Sequence, residues 1–388
     1  MLSEDAAWDR VAGCMHGLLI GDALGCPVEG WTPMAIERRF GTLINYEHVP
    51  GPHWRPRGLH SDDGQQALAV ADAIALDPKA PEREFAKLLV ALREAGPQQV
   101  GRWGLHRGVG SNLRQTVRGL MAATKDDPLA FGVRSGGNGA AMRIAPVGLW
   151  WRDAPSKRDH FAARISAVTH SDLRGIGAAQ AVAIAVSEAF WEPPLPILRP
   201  EFVGAVERAR CRARDTLELP DDRRFGDLLG ALVEHRARCD DLNELLDGIA
   251  ERANATGGAH GTVKATNGFA PCSVLTALTV ADLVPEFERA VITAVNLGGD
   301  ADTIGAMVGA IQGARRGLGQ IPERWLDGLH ATGSIFERIE ALFWREPGPA
   351  HPPLVVLEGN LDRLFEDRPR TIGRGLSELS RTRGLGSS

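Results

Sequence analysis

Apolar residues recur every three to four positions along most of the chain, the spacing of one buried face of a helix. Trp8, Val11, Met15, Leu18 and Leu19 form one such face; Phe85, Leu88, Leu89 and Leu92 form a second; Phe225, Leu228, Leu229, Leu232 and Val233 form a third. Strand-like alternation is nearly absent. Breakers such as "EPPLPILRP" (192–200) and "NATGGAHG" (254–261) cut the pattern into about a dozen helices of ordinary length, with no fixed repeat period. The pattern predicts an all-α globule.

One predicted helix stands apart. "NLGGDADTIGAMVGAIQGARRG" (296–317) sets Asp300, Asp302 and Thr303 ahead of a run with glycine at 305, 309, 313 and 317. Residues four apart share a helix face, and missing side chains there let another helix or a ligand approach the backbone closely. Each interior glycine costs a helix about 1 kcal/mol relative to alanine, so close packing must offset the loss. The helix is expected to start near Thr303, because aspartates two apart converge only in the loop and cap before it.

Of the 388 residues, 44% are apolar and 24% charged, ample material for a large core. Acids outnumber bases by 49 to 44 and the bases are scattered, which argues against a nucleic-acid grip and a membrane-surface patch. Five cysteines without a CxxC pair argue against a disulfide framework or zinc site and read as buried free thiols. The longest apolar stretches, such as "AAQAVAIAV" (178–186), fall short of the roughly 20 residues that span a bilayer, so cytoplasmic residence is the expectation. Residues 1–348 are expected to form one domain, since acidic motifs near residues 22, 62 and 300 must meet to make one site. Residues 349–388, rich in proline, arginine, glycine and serine, are expected to form a partly disordered tail.

A second stretch, "HSDDGQQALAVADAI", repeats the acid-and-hydroxyl chemistry at a helix start. Ser61, Asp62 and Asp63 precede a helix whose inner face is Ala67, Val70, Ala71 and Ile74. Capping alone accounts for either cluster, because aspartate, serine and threonine accept from the free N–H groups of a first turn. Adjacent carboxylates repel, however, and their doubling in one chain points to a hard cation. Oxygen-only ligands select magnesium, manganese or calcium over zinc. "RSGGNGAAMRIAPVGLW" (134–150) is a glycine-rich loop running into a helix start, where backbone N–H groups can cradle an anionic oxygen. His170, in "VTHSDLRGIGAA", stands at a helix junction as a cap, a core residue or a site group.

Taken in order, "GLLIGDALGCPVEGW", "SDDGQQALAVADAI", "GNGAAMRIAPVGL", "THSDLRGIGAAQAVAIAV" and "NLGGDADTIGAMVGAIQGARRG" resemble the signature blocks of the ADP-ribosylglycohydrolase family, from about residue 8 to about residue 330. The resemblance implies a compact orthogonal multi-helix all-α fold holding two Mg2+ or Mn2+ ions between the acidic clusters. By position their ligands would be Ser61, Asp62, Asp63, Asp300, Asp302 and Thr303. It further implies that ADP-ribose lies across this centre, its diphosphate near Ser135, Gly136, Asn138 and Gly139, with His170 near the ligand and Glu29 on a mobile flap after "GDALG". Catalytic roles carry over to Glu29, Asp62, Asp63 and Asp302, with the general base left open between Glu29 and a carboxylate of the cluster. Asp22 reads as structural support. The implied reaction is metal-dependent hydrolysis at C1 of ribose, where carboxylates and polarised hydroxyls stabilise an oxocarbenium-like transition state. The substrate would be an ADP-ribosylated protein, or a small-molecule or nucleic-acid conjugate of ADP-ribose. A monomer is expected, without membrane attachment or a stable nucleic-acid complex.

Three positions depart from the family's pattern. Gly64 stands where a second threonine is common, Gly136 where some relatives stack an aromatic on adenine, and Gly108 or Arg107 where some carry an acid. These departures leave two rival expectations, a catalytically degenerate or crystallin-like structural relative and a two-metal phosphohydrolase. The four retained aspartates speak against the first, and the ordered five-block pattern speaks against the second.

Overall fold

The first helix of the chain becomes the axis of the molecule. The computed structural model describes residues 2–48, 55–97, 103–122, 127–191, 195–256, 261–330 and 332–365. In it α1 (Glu4–Gly25) starts at Ser3, whose hydroxyl accepts from Ala6 N at 3.2 Å, and is buried from Arg10 to its end. The chain continues through α2 (Pro33–Phe40), α3 (Asp62–Leu76), α4 (Pro81–Glu94), α5 (Ser111–Met121), α6 (Ala145–Trp150), α7 (Pro155–Ala167) and α8 (Leu173–Ala189). Its second half comprises α9 (Pro200–Thr216), α10 (Arg224–Arg236), α11 (Leu242–Ala255), α12 (Ala270–Leu283), α13 (Phe287–Asn296), α14 (Ala301–Arg316), α15 (Glu323–Gly328), α16 (Phe336–Trp344) and α17 (Leu354–Asp362). Among the described residues there is no strand, only isolated bridges such as Val133 to His170 and Gly137 to Phe269. The all-α expectation holds.

The glycine run of α14 has a counterpart in α1. Gly13, Gly17, Gly21 and Gly25 also fall at intervals of four, and the two helices meet antiparallel, backbone against backbone. A Cβ on Gly309 would stand 2.0 Å from Gly17 O, one on Gly313 2.0 Å from Gly13 O, and one on Gly21 2.0 Å from Gly305 O. No side chain fits at those distances, so the glycines are what this approach requires. α14 begins at Ala301, not Thr303, with Asp300 in the cap position, so Asp302 and Thr303 already belong to its first turn.

Around this pair, α8, α12 and α13 pack against α14, while α3, α6 and α16 pack against α1. One contiguous apolar core runs from Val11 to Leu361. The three helical faces legible in the sequence point into it, with Trp8 and Leu88 at its edge. α1 is long and apolar enough to cross a membrane by length and composition, unlike the stretch at 178–186, and its apolar window is wholly buried here. Cys14, Cys26 and Cys272 are buried free thiols as expected, whereas Cys211 and Cys239 are partly exposed.

The stretch from residue 349, expected to be a partly disordered tail, includes an ordered element. That element, α17, buries Leu354, Leu357, Glu358 and Leu361 against the core. Glu358 is ion-paired with Arg107 and accepts from Gln65 Nε2 at 2.8 Å, with His60 Nε2 at 3.2 Å. The composition of the whole stretch masks this short helix, because residues 366–388, which lie outside the described residues, dominate the count.

Candidate metal centre and cleft

The acidic cluster at 61–63 forms the start of α3. Ser61 is its N-cap: its hydroxyl accepts from Asp63 N at 3.1 Å and donates to Asp63 Oδ2 at 3.0 Å. Asp22, on the last turn of α1, accepts from Ser61 N at 2.9 Å and from Gly64 N at 2.7 Å. This buried carboxylate therefore clamps α1 to α3 and is used up as a second cap. Gly64 is a packing feature, for a Cβ there would stand 2.5 Å from Leu19 Cδ2. Beyond the caps, Asp62 Oδ2 accepts from Gln66 Nε2 at 3.1 Å, and Asp63 Oδ1 is buried with no partner.

The second cluster opens α14. Asp300 makes no side-chain cap bond to the backbone of its own helix and accepts from Asn138 Nδ2 at 2.5 Å, with Asp302 and Thr303 as further side-chain partners, while its N–H donates to Thr266 O at 2.7 Å. Asp302 Oδ1 accepts from Thr303 N at 2.9 Å. The glycine contact between α1 and α14 ends at this point, since a Cβ on Gly25 would stand 2.4 Å from Asp302 N. Glu29, exposed after the turn Cys26–Val28, brings a carboxylate oxygen to within 4.8 Å of Asp300 and Asp302. Its segment is tied to α14 by Gly30 N donating to Gly299 O at 2.7 Å and Gly299 N donating to Trp31 O at 2.8 Å.

These carboxylates resist ionisation. Burial, then repulsion from Asp22, pushes Asp62 up to about 7, with Arg55 pulling the other way. Asp63 is raised well above the usual range by burial and by Asp22, Asp62 and Asp300. Asp302 is raised well above it by burial and by Glu29, Asp63, Asp300 and Asp22. Burial also raises Asp300, against hydrogen bonds from Asn138 and its neighbours. A divalent cation removes both penalties, and the donor set of Asp62, Asp63, Asp300, Asp302 and Thr303 is all oxygen, which suits a hard ion. The orphaned Asp63 Oδ1 supports that fit.

The cluster lines one wall of a cleft of about 270 Å3, with Glu29 at its rim. Gly137, Asn138, Gly139 and His170 line the same cleft, Asn138 in direct contact with Asp300. Ser61, Ser135 and Gly136 do not line it. Ser61 is engaged as a cap, and Ser135 Oγ holds the loop by accepting from Asn112 Nδ2 at 2.7 Å and Gly137 N at 3.1 Å. Gly136 lies against the ring of Phe269, where a Cβ would meet Cε2 at 2.8 Å, so an aromatic flanks this position from another segment. A neighbouring cleft of about 470 Å3 shares Glu29, Gly268 and Asp300 and adds Trp31 and Lys264.

Several lining residues were not singled out in the sequence: Gln66, Asn112, Arg143, Thr169 and Gly268. Arg143 is buried and donates to Gln66 Oε1 at 2.6 Å and Thr169 Oγ1 at 2.5 Å, and Thr169 Oγ1 lies 2.7 Å from His170 Nδ1. With the Gln66 to Asp62 bond, a continuous chain joins His170 to the acidic cluster. Burial, then the charge of Arg143, pushes His170 down to about 3, so its ring is neutral at pH 7. The only signal for Arg143 was a lone base in the apolar run "AAMRIAPVG". Arg107 turns away to Glu358, leaving Gly108, at φ 73°, beside Asp62 at the cleft.

A family model described as ADP-ribosylglycohydrolase matches residues 3–351. An uncharacterized protein of Archaeoglobus fulgidus is 30% identical over 326 residues, covering 83% of this chain and 92% of that protein. The human ADP-ribosylhydrolase ARH3 is 25% identical, over 86% of this chain and 93% of its own length. A solved structure titled "ADP-ribosylglycohydrolase-related protein complex" superposes with a TM-score of 0.59 at 26% identity, covering 88% of this chain and 99% of that one. By the match of that model over most of its length, the chain belongs to the ADP-ribosylglycohydrolase family.

Proposed function

We propose that the protein is a metal-dependent ADP-ribosyl hydrolase that cleaves the glycosidic bond at C1 of ribose and releases ADP-ribose from a conjugate. The observation that carries this reading is the convergence of Asp62, Asp63, Asp300 and Asp302 on one cleft, with Asp63 Oδ1 buried and unpartnered. Asp62, Asp63, Asp300, Asp302 and Thr303 would hold two Mg2+ or Mn2+ ions, with Ser61 shaping Asp63 from behind. When bound, such ions polarise the ribose hydroxyls and a water molecule.

The chain's own groups do the rest. Gly137, Asn138 and Gly139 line the part of the cleft where a diphosphate would lie, and neutral His170 adds a hydrogen-bonding group without a charge. Glu29, at the rim, is exposed enough to exchange protons with water and close enough to Asp300 and Asp302 to reach the reacting carbon. It therefore takes the proton-transfer role. The same reading makes the protein a cytoplasmic monomer acting on a protein, small-molecule or nucleic-acid conjugate.

Incubation with Mg2+ or Mn2+ and a panel of arginine-, serine- and nucleic-acid-linked ADP-ribose, plus O-acetyl-ADP-ribose, should release ADP-ribose from at least one substrate. Asp302→Ala or a chelator should remove that release. Binding of ADP-ribose with no turnover of any substrate would identify a degenerate relative instead.

A further inference from the structure

Beside the carboxylate centre lies a cation of the chain's own. Arg55 Nη1 donates to Cys26 Sγ at 2.8 Å, and that sulfur lies 3.1 Å from Asp22 Oδ1 and 4.0 Å from Asp302 Oδ2. On the other side is Gly108. A Cβ there would stand 2.9 Å from Asp62 Oδ1 and 3.3 Å from Arg55 Nη2, so both groups crowd the same point. The guanidinium is thus placed among Asp22, Asp62 and Asp302. Asp62, Asp302 and Gly108 line the cleft, and Arg55 stands beside them without being one of the lining residues.

The electrostatics agree with the geometry. Burial would lower Arg55, but Cys26, Asp22, Asp302 and Asp62 together hold it above its ordinary range. Arginine does not lose its proton in proteins, so the charge stays whatever else binds. A fixed positive charge beside mutually repelling carboxylates stabilises them when no ion is present. The same charge repels a divalent ion that arrives.

We propose that Arg55 is a built-in counter-cation of this centre, stabilising the ion-free protein and limiting its affinity for divalent cations. The inference rests on reading the two clusters as a metal centre. Arg55 acts through the carboxylates and is a positioning residue, without contact to substrate.

The test uses the full chain, Mn2+ as the probe, free Mn2+ followed by electron paramagnetic resonance, and melting curves in EDTA. Arg55→Gln should bind Mn2+ at least about tenfold more tightly than wild type and melt at a lower temperature in EDTA. Arg55→Lys, which keeps the charge, should stay within about threefold of wild type. An Arg55→Gln protein folded only with Mn2+ present meets the expectation, since the ion takes over the missing charge. One that binds Mn2+ no tighter than wild type, or stays unfolded in millimolar Mn2+, overturns the inference and leaves the metal reading intact. Absence of Mn2+ binding by wild type and variant alike overturns both.

Discussion

A buried carboxylate oxygen without a partner, Asp63 Oδ1, sits among three other aspartates that burial makes harder to ionise, with repulsion adding to it at Asp62 and Asp302. In the ion-free protein, protons take the place of cations at this centre, and binding must displace them. Mn2+ affinity should therefore rise with pH, about tenfold per unit for each proton displaced, until the pH passes the folded-state values. The stability of the ion-free protein should run the other way. Asp62, raised from 3.8 to about 7, contributes stability that is full below 3.8 and lost as pH climbs through about 7. His170, lowered from 6.5 to about 3, opposes this trend only below 6.5, where its contribution fades as pH falls. Between pH 6.5 and about 8 the carboxylates act alone. Melting temperatures in EDTA should fall across that window while the rise produced by Mn2+ widens, and a Mn2+ shift that stays constant or shrinks refutes the arrangement. The acids were legible in the sequence because acidic pairs before helices are conspicuous. Gln66, Arg143 and Thr169 were not, because their roles exist only through bonds between segments as far apart as residues 66 and 143.

At the scale of elements, the site depends on how closely α1 and α14 approach. Both glycine series are plain in the sequence, yet only that of α14 drew attention, since its sparse side chains follow an acidic cap. Which helix faces it cannot be read from one helix's periodicity, because the partner lies almost the whole chain away. Gly309→Ala should separate the pair, as its Cβ would stand 2.0 Å from Gly17 O. Overpacking of about 3 kcal/mol, less about 1 kcal/mol of recovered helix propensity, predicts a net loss near 2 kcal/mol in urea denaturation. Gly359→Ala is the matched control. It lies in α17 with open space where the Cβ would go, so it should gain up to about 1 kcal/mol. Equal stability of the two variants would show that the helices do not meet through their backbones.

Across the whole molecule, the first and the last described α-helices, α1 and α17, both hold supports of the site. The need for motifs near residues 22, 62 and 300 to converge was legible from their chemistry. The contribution of α17 was not, because its four buried positions are diluted by the residues that follow. Glu358 gathers Arg107, His60 and Gln65 in the interior and so holds the strand of chain before Gly108 away from the cleft. Burial alone would raise its carboxyl, but Arg107, then His60, hold it down to about 2. Its contribution is therefore present above 4.5 and lost only as pH falls toward about 2. Glu358→Gln keeps the shape and leaves Arg107 buried without a counter-charge, which should cost about 3–5 kcal/mol at pH 7. A chain ending at residue 348 loses the carboxylate together with the apolar face of α17 and should be destabilised further. Urea denaturation at pH 7 reads both, and the order expected is wild type, then Glu358→Gln, then the shortened chain. If the shortened chain unfolds at the wild-type urea concentration, α17 is an appendage and Arg107 finds its partner elsewhere.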